Sequence, residues 1–167
     1  EERRRDHVGA MLKPALVVIP ARMASVRLPG KPLADIHGEA MIVHVWRRAK
    51  EADIGPVIVA AAEQQIVDAV TAAGGQAVLT DPNHRSGSDR VWEAVENYDP
   101  RGDFGKIINL QGDLPTMEAE QIRLALDLLE AETVDISTLA AEITEAYERE
   151  ESSVVKAVIS MPPGARQ

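Results

Sequence analysis

The chain has 167 residues, of which 45% are apolar, enough for one compact domain with its own core and without covalent staples. It has no cysteine, which excludes disulfides, thiolate zinc sites and a cysteine nucleophile, and an intracellular home suits that composition. A net charge of -9 with 3% aromatic residues argues against a general nucleic-acid binder, which needs a basic face and stacking groups.

The first ten residues, "EERRRDHVGA", carry no apolar periodicity and precede Met11. They read as a leader or extension outside the fold, which is expected over residues 11–167, and they lack the apolar stretch of a secretory signal. No apolar run approaches the roughly 20 residues of a membrane span. A soluble, cytoplasmic protein is the expectation.

From there short apolar runs alternate with amphipathic ones. The strand-like run "ALVVIP" is followed by "MIVHVWRRAKEA", "GPVIVAAA" by "EQQIVDAVTAAGG", "QAVLT" by "SGSDRVWEAVENY", and "KIINLQGD" by "EAEQIRLALDLLEAE". The strand runs are nearly continuous in Val, Ile and Ala, as expected of a parallel sheet with helices on both faces. In the last amphipathic run Ile122, Ala125, Leu126 and Leu129 recur at helical spacing, with Leu124 and Leu128 widening the stripe. Gly74-Gly75 marks a helix stop before the next strand. The pattern predicts a doubly wound, mostly parallel α/β domain that binds ligands beyond the carboxyl ends of its strands. Two further runs follow, "DISTLAAEI" and "SSVVKAVIS"; the second reads as a strand entering the turn "MPPGARQ". The sequence thus stops where another element is due, and an incomplete C-terminal end is expected. The acidic stretch from Glu118 to Glu151 reads as a solvated face without an assigned function.

The stretch "VVIPARMASVRLPGKPL" after the first strand places Arg22, Arg27 and Lys31 in one loop stiffened by Pro29 and Pro32. It is not a phosphate-binding P-loop, since Ser25 and Pro32 stand where that motif needs Gly and Ser or Thr, and no Gly-x-Gly spacing follows the strand. Three cations held close together repel one another, so their clustering in a stiff segment suits a multiply charged anion such as a triphosphate. Gly30 lets the backbone turn tightly or approach a ligand.

"IPARMASVRLPGKPL" resembles the signature of the 3-deoxy-manno-octulosonate (KDO) cytidylyltransferases, the CMP-KDO synthetases. "NHRSGSDR" (Asn83 to Arg90) is similar to the family's His-x-Ser-Gly-Thr-Asp/Glu-Arg block, with Ser88 in place of Thr. "NLQGDLP" (Asn109 to Pro115) is similar to its Val-Gln-Gly-Asp-Glu-Pro block, with Leu114 in place of Glu. "MIVHVWRRA" and "VVKAV" add to the likeness, which runs from Leu16 to Val158.

The resemblance implies a Rossmann-like fold of the nucleotide-diphospho-sugar transferase type. It also implies transfer of CMP from CTP to KDO with magnesium and release of pyrophosphate, for lipopolysaccharide biosynthesis. The parent protein is then expected to be a homodimer, with CTP and KDO as its small-molecule partners. Alternatives are a chain that binds CTP but is catalytically incomplete, or a cytidylyltransferase for another acid sugar. Arg22, Arg27 and Lys31 fit a phosphate clamp, with Ser25 adding a hydroxyl, and Arg22, Lys31 and Asp113 are the candidate catalytic groups. Asp113 fits a magnesium ligand, with Gly112 allowing close approach to the metal; it also fits a helix cap before "EAEQ". Gln111 fits a reader of sugar hydroxyls or a plain strand-end amide. Ser86, Ser88 and Arg90 fit either a reader of the pyrimidine edge or an ordinary N-cap followed by a surface arginine, and His84 is divided between the same roles. His44 reads as a packed or rim histidine, and Trp46 and Trp92 as core or interface groups.

Overall fold

The computed structural model describes residues 14–24, 28–131, 133–158 and 160. The leader expected over residues 1–10, Ser25 and Arg27 of the cation loop, and the turn "MPPGARQ" lie outside the described residues. The chain divides into two units, residues 1–137 and 138–167.

The first unit begins with strand β1 (Ala15–Ala21), a short 3-10 turn (Lys31–Leu33), and a small antiparallel pair, β2 (Asp35–Ile36) with β3 (Glu39–Ala40). Then come α1 (Met41–Glu51), β4 (Val57–Ala61), α2 (Gln64–Ala72), β5 (Gln76–Leu79), α3 (Gly87–Tyr98), β6 (Lys106–Asn109) and α4 (Ala119–Asp127), which tightens into a 3-10 turn at Leu128–Glu130. Strands β5, β4, β1 and β6 lie side by side in that order, all parallel, with Val17 opposite both Val57 and Ile108.

The uninterrupted apolar character of β1 and β4 has a direct cause. Side chains alternate between faces with period two, and both faces are covered. Val17 and Ile19 of β1, with Val57 and Val59 of β4, pack against Ile42, Val45, Trp46 and Ala49 of α1, Ile66 and Val70 of α2, and Ile122 of α4. Leu16 and Val18, with Ile58 and Ala60, turn the other way onto Val91, Ala94, Val95 and Tyr98 of α3. Each fully buried Val, Leu or Ile contributes roughly 1.5–3 kcal/mol relative to exposure, so these two layers carry the fold. The doubly wound α/β expectation holds.

Trp46 lies in the core as expected, but Trp92 is 66% exposed. The inward stripe of α3 is Val91, Ala94, Val95 and Tyr98, at helical spacing. Trp92 stands about 100° around the helix from Val91 and so faces outward. His44 is half-buried with Nε2 2.9 Å from the Ile36 carbonyl oxygen, a packed rim position.

The strand expected over "SSVVKAVIS" is not formed among the described residues, and "DISTLAAEI" forms neither helix nor strand there. The second unit, described by itself, contains a 3-10 turn at Ala146–Arg149, and its Val155 and Val158 are exposed. β-Branched residues favour extended backbone, but a strand is stabilised only when a neighbouring backbone completes its ladder. Among the described residues no helix is long and apolar enough to cross a membrane.

Candidate functional site

From β1 the chain steps to β4 and then β5 on one side of the sheet, and returns through α3 to place β6 on the other side of β1. The loops leaving β1 and β6 therefore diverge at a topological switch point, where α/β sheets open a crevice. A cleft of about 530 Å³ lies there. Its walls come from three segments: Pro20 to Arg22 with Lys31 and Pro32, the turn into α3 with His84, Ser86, Gly87 and Arg90, and Gln111 to Asp113.

The first and third segments are packed backbone to backbone. The Leu110 N–H donates to the Val18 carbonyl at 3.0 Å. Beyond it, a Cβ placed on Gly112 would stand 2.5 Å from the Pro20 carbonyl oxygen. The absence of a Cβ at Gly112 lets these two loops touch. Gly30, at φ +72°, makes the tight turn into Lys31, and the 3-10 turn that follows buries Pro32. The turn directs Lys31 Nζ onto Asp113 Oδ2 at 2.8 Å, a pair between partners 82 residues apart. The candidate clamp cation and the candidate metal carboxylate thus meet. Asp113 does not cap α4: that helix begins at Ala119 after Glu118, whose N–H donates to Gln121 Oε1 at 3.1 Å.

At the second wall the hydroxyl of Ser86 accepts from the Asp89 N–H at 3.1 Å while Asp89 Oδ2 accepts from the Ser86 N–H at 3.2 Å. This capping box satisfies two of the free donors at the start of α3. Ser86 is therefore an N-cap that also lines the cleft, whereas Ser88 is exposed and outside the cleft lining. Arg90 departs from the surface arginine that a bland reading allowed: it is only 2% exposed. Its Nη1 donates to Thr80 Oγ1 at 2.5 Å and to the Asp81 carbonyl at 3.1 Å, and Thr80 Oγ1 donates in turn to the Ala61 carbonyl at 2.9 Å. Nη2 is buried and has no hydrogen-bond partner among the described residues. Such a donor costs about 1–3 kcal/mol until an acceptor reaches it. Burial pulls the guanidinium below its ordinary value, Glu63 offsets part of that effect, and nearby Arg22 adds to it.

His84 lines the cleft but is tied from behind, its Nε2 2.5 Å from Glu93 Oε2, which also accepts from the Asp81 N–H at 2.9 Å. The Asp81 N–H, with His84, holds the Glu93 carboxyl below its usual range. The side chain of Asp81 accepts from the N–H and the side-chain amide of Asn83, and the first of these bonds lowers its own value. Gln111 is exposed in the cleft, with its amide nitrogen 3.2 Å from Asn109 Oδ1. Leu114, where the family pattern has Glu, is half-buried against the core.

The structure thus brings Arg22, Lys31, His84, Ser86, Arg90, Gln111 and Asp113 to one cleft and leaves Ser88 outside its lining. Sequence reading passed over Glu63, Thr80, Asp81 and Glu93. The first three lie within two residues of the carboxyl ends of β4 and β5, the positions to search in a parallel sheet; Glu93 has no such signal, being on a helix. Among the described residues no group of three or more His, Asp or Glu converges as a metal cage, and Asp113 is the carboxylate of the cleft. One hard oxygen donor suits magnesium, which keeps waters and takes phosphate oxygens for most of its shell.

The cytidylyltransferase family model matches residues 16–164. The 3-deoxy-manno-octulosonate cytidylyltransferase of Paramagnetospirillum magneticum is 58% identical over 151 residues, covering 90% of this chain and 61% of that protein. The protein of the same description in Parvibaculum lavamentivorans is 62% identical over 149 residues, covering 89% of this chain and 58% of its own length. This chain therefore spans about three-fifths of these relatives. Among solved structures, CMP:2-keto-3-deoxy-manno-octonic acid synthetase complexed with CTP aligns with TM-score 0.66 at 40% identity, over 71% of this chain and 48% of that one. With the cation loop, the switch-point cleft and the match over residues 16–164 in agreement, the chain belongs to the cytidylyltransferase family.

Proposed function

We propose that this chain is the nucleotide-binding part of an enzyme that transfers CMP from CTP to KDO and releases pyrophosphate. The observation that carries the reading is the convergence of Arg22, Lys31 and Asp113 at the switch-point cleft, on the loops that match the family. In the reaction the anomeric hydroxyl oxygen of the acid sugar bonds to the α-phosphorus of CTP as the bond from that phosphorus to the oxygen bridging the β-phosphate breaks, and the hydroxyl proton passes to solvent. Negative charge builds on the leaving pyrophosphate. Arg22 and Lys31, with Arg27 of the same loop, neutralise it while the Ser25 hydroxyl adds a hydrogen bond, and charge-assisted bonds of this kind contribute roughly 1.5–3 kcal/mol each. The carboxylate of Asp113 would hold a magnesium ion, which would supply further neutralisation of the phosphate charge. Ser86, Gly87 and Arg90 line the side of the cleft assigned in this reading to the base, and Gln111 is assigned to the sugar.

The same reading makes the full-length protein a cytoplasmic homodimer, which sizing of that protein checks. A second reading, nucleotide binding without turnover, draws on one observation: Leu114, half-buried against the core, stands where the family pattern has Glu, so that block lacks a carboxylate. The deciding assay couples pyrophosphate release to a colour change, using a chain of the relatives' length that carries this sequence. Release requiring CTP, KDO and magnesium together is the expected result. Equal turnover with UTP or with sialic acid refutes the substrate assignment, and calorimetric CTP binding with no turnover at that length favours the binding-only reading.

A further inference from the structure

Glu63 precedes α2 as its N-cap residue, where a side chain ordinarily turns back to satisfy the helix's own free N–H groups. It makes no cap hydrogen bond. Its Oε2 instead accepts from the backbone N–H of Met23, 40 residues earlier, at 2.9 Å. That bond extends a tie already present between the two loops, because the Ala62 N–H donates to the Ala21 carbonyl at 3.0 Å where the β1–β4 ladder ends.

Met23 is the hinge pin of the cation loop. Its carbonyl accepts from the Gly30 N–H at 3.1 Å, closing the base of the loop, while its N–H is held by Glu63. Arg22 immediately precedes this closure and Lys31 immediately follows it. The spacing between the two cations is therefore set at a single residue, and one carboxylate anchors that residue to the sheet. A backbone amide held by a charged acceptor gains more than one held by a neutral acceptor. Glu63 is absent from the cleft lining and so reaches a ligand only indirectly, through the loop it anchors and through its charge on Arg90.

We infer that Glu63 is a positioning residue for nucleotide binding: by anchoring Met23 it presets Arg22 and Lys31 at the spacing that receives the triphosphate, so that little ordering remains to be done on binding. The inference rests on the functional reading above. Glu63→Ala removes the anchor, and because no cap bond is lost, α2 keeps its start. Glu63→Gln keeps an oxygen that accepts from Met23 while removing the charge.

Two measurements test it. Amide hydrogen exchange without nucleotide reports on the anchor: the Met23 amide is expected to exchange at least about tenfold faster in the Ala variant and to remain protected in the Gln variant, as for release of one hydrogen bond to a charged group. Calorimetric titration with CTP and magnesium is expected to show affinity about tenfold weaker in Ala and within about threefold of the parent in Gln. Unchanged exchange at Met23 in the Ala variant, or CTP affinity equal to the parent despite a released amide, overturns the inference. So does a Gln variant as weak as Ala, since then charge rather than position is what matters. Failure of the unmodified chain to bind CTP refutes the functional reading instead, and the exchange arm still decides whether Glu63 holds the loop.

Discussion

Replacing Asp113 by Asn separates the two things this carboxylate can do. In the structure it pairs with Lys31 at 2.8 Å, with the two side chains 51% and 33% exposed. A pair so open to solvent contributes about 0.2–1 kcal/mol. For a chain of this size 1 kcal/mol is about 2–4 °C in Tm, so Asp113→Asn should lower the melting temperature by no more than about 4 °C. No cap is lost, because α4 starts six residues later. The effect on nucleotide binding has a different sign in the two metal conditions. With chelator present, the substitution removes a negative charge beside the triphosphate and frees Lys31, so CTP should bind at least as tightly as to the parent. With magnesium present, the parent gains affinity through its carboxylate and the Asn variant gains little; on a scale of roughly 1.5–3 kcal/mol for a charged contact, the magnesium-dependent gain should differ by about tenfold or more. Calorimetry with and without magnesium, beside melting curves, reads all three quantities. The same magnesium-dependent gain in both proteins would refute the metal role of Asp113, and an equal loss of CTP affinity with and without the ion would show that it acts otherwise.

At the relatives' length, Lys31→Ala and Arg22→Ala should each slow pyrophosphate release about 100-fold or more with little change in melting, the size of effect seen when a preorganised electrostatic donor is removed; rates within a few-fold of the parent would contradict the clamp. Gly112→Ala places a Cβ 2.5 Å from the Pro20 carbonyl oxygen, an overpacking cost of about 1–3 kcal/mol, so melting should fall by several degrees and CTP affinity with it. The Glu93 carboxyl is held below its ordinary value of 4.5 by the Asp81 N–H and by His84. Its stabilising contribution is therefore present above that pH and disappears as pH falls through the lowered folded-state value. The melting difference between the parent and Glu93→Gln should accordingly favour the parent near neutrality and vanish in acid, as a pH series of thermal melts would show.

Much of this protein was legible in its sequence because much of it is local. The alternation of "ALVVIP" and "GPVIVAAA" with runs of helical period specifies strands buried on both faces and helices with one apolar stripe, and backbone periodicity alone enforces that correspondence. The cation loop was equally visible, since its charges, prolines and glycine lie within a dozen residues. Where pattern and structure part, a partner distant in sequence decided the outcome. The valines near residues 155 and 158 have strand propensity but join no ladder among the described residues. Trp92 is apolar yet faces outward because the phase of α3 is set by Val91 and Ala94 against the sheet. Arg90, which sequence reading allowed as a surface charge, is buried because Thr80 and Asp81 at the end of β5 are brought beneath it. The meeting of Lys31 with Asp113 and of Glu63 with Met23 depends on β1 lying between β4 and β6. Residue type announces that a charge needs a partner; only the order of strands, set by the packing of whole faces, determines which partner is within reach.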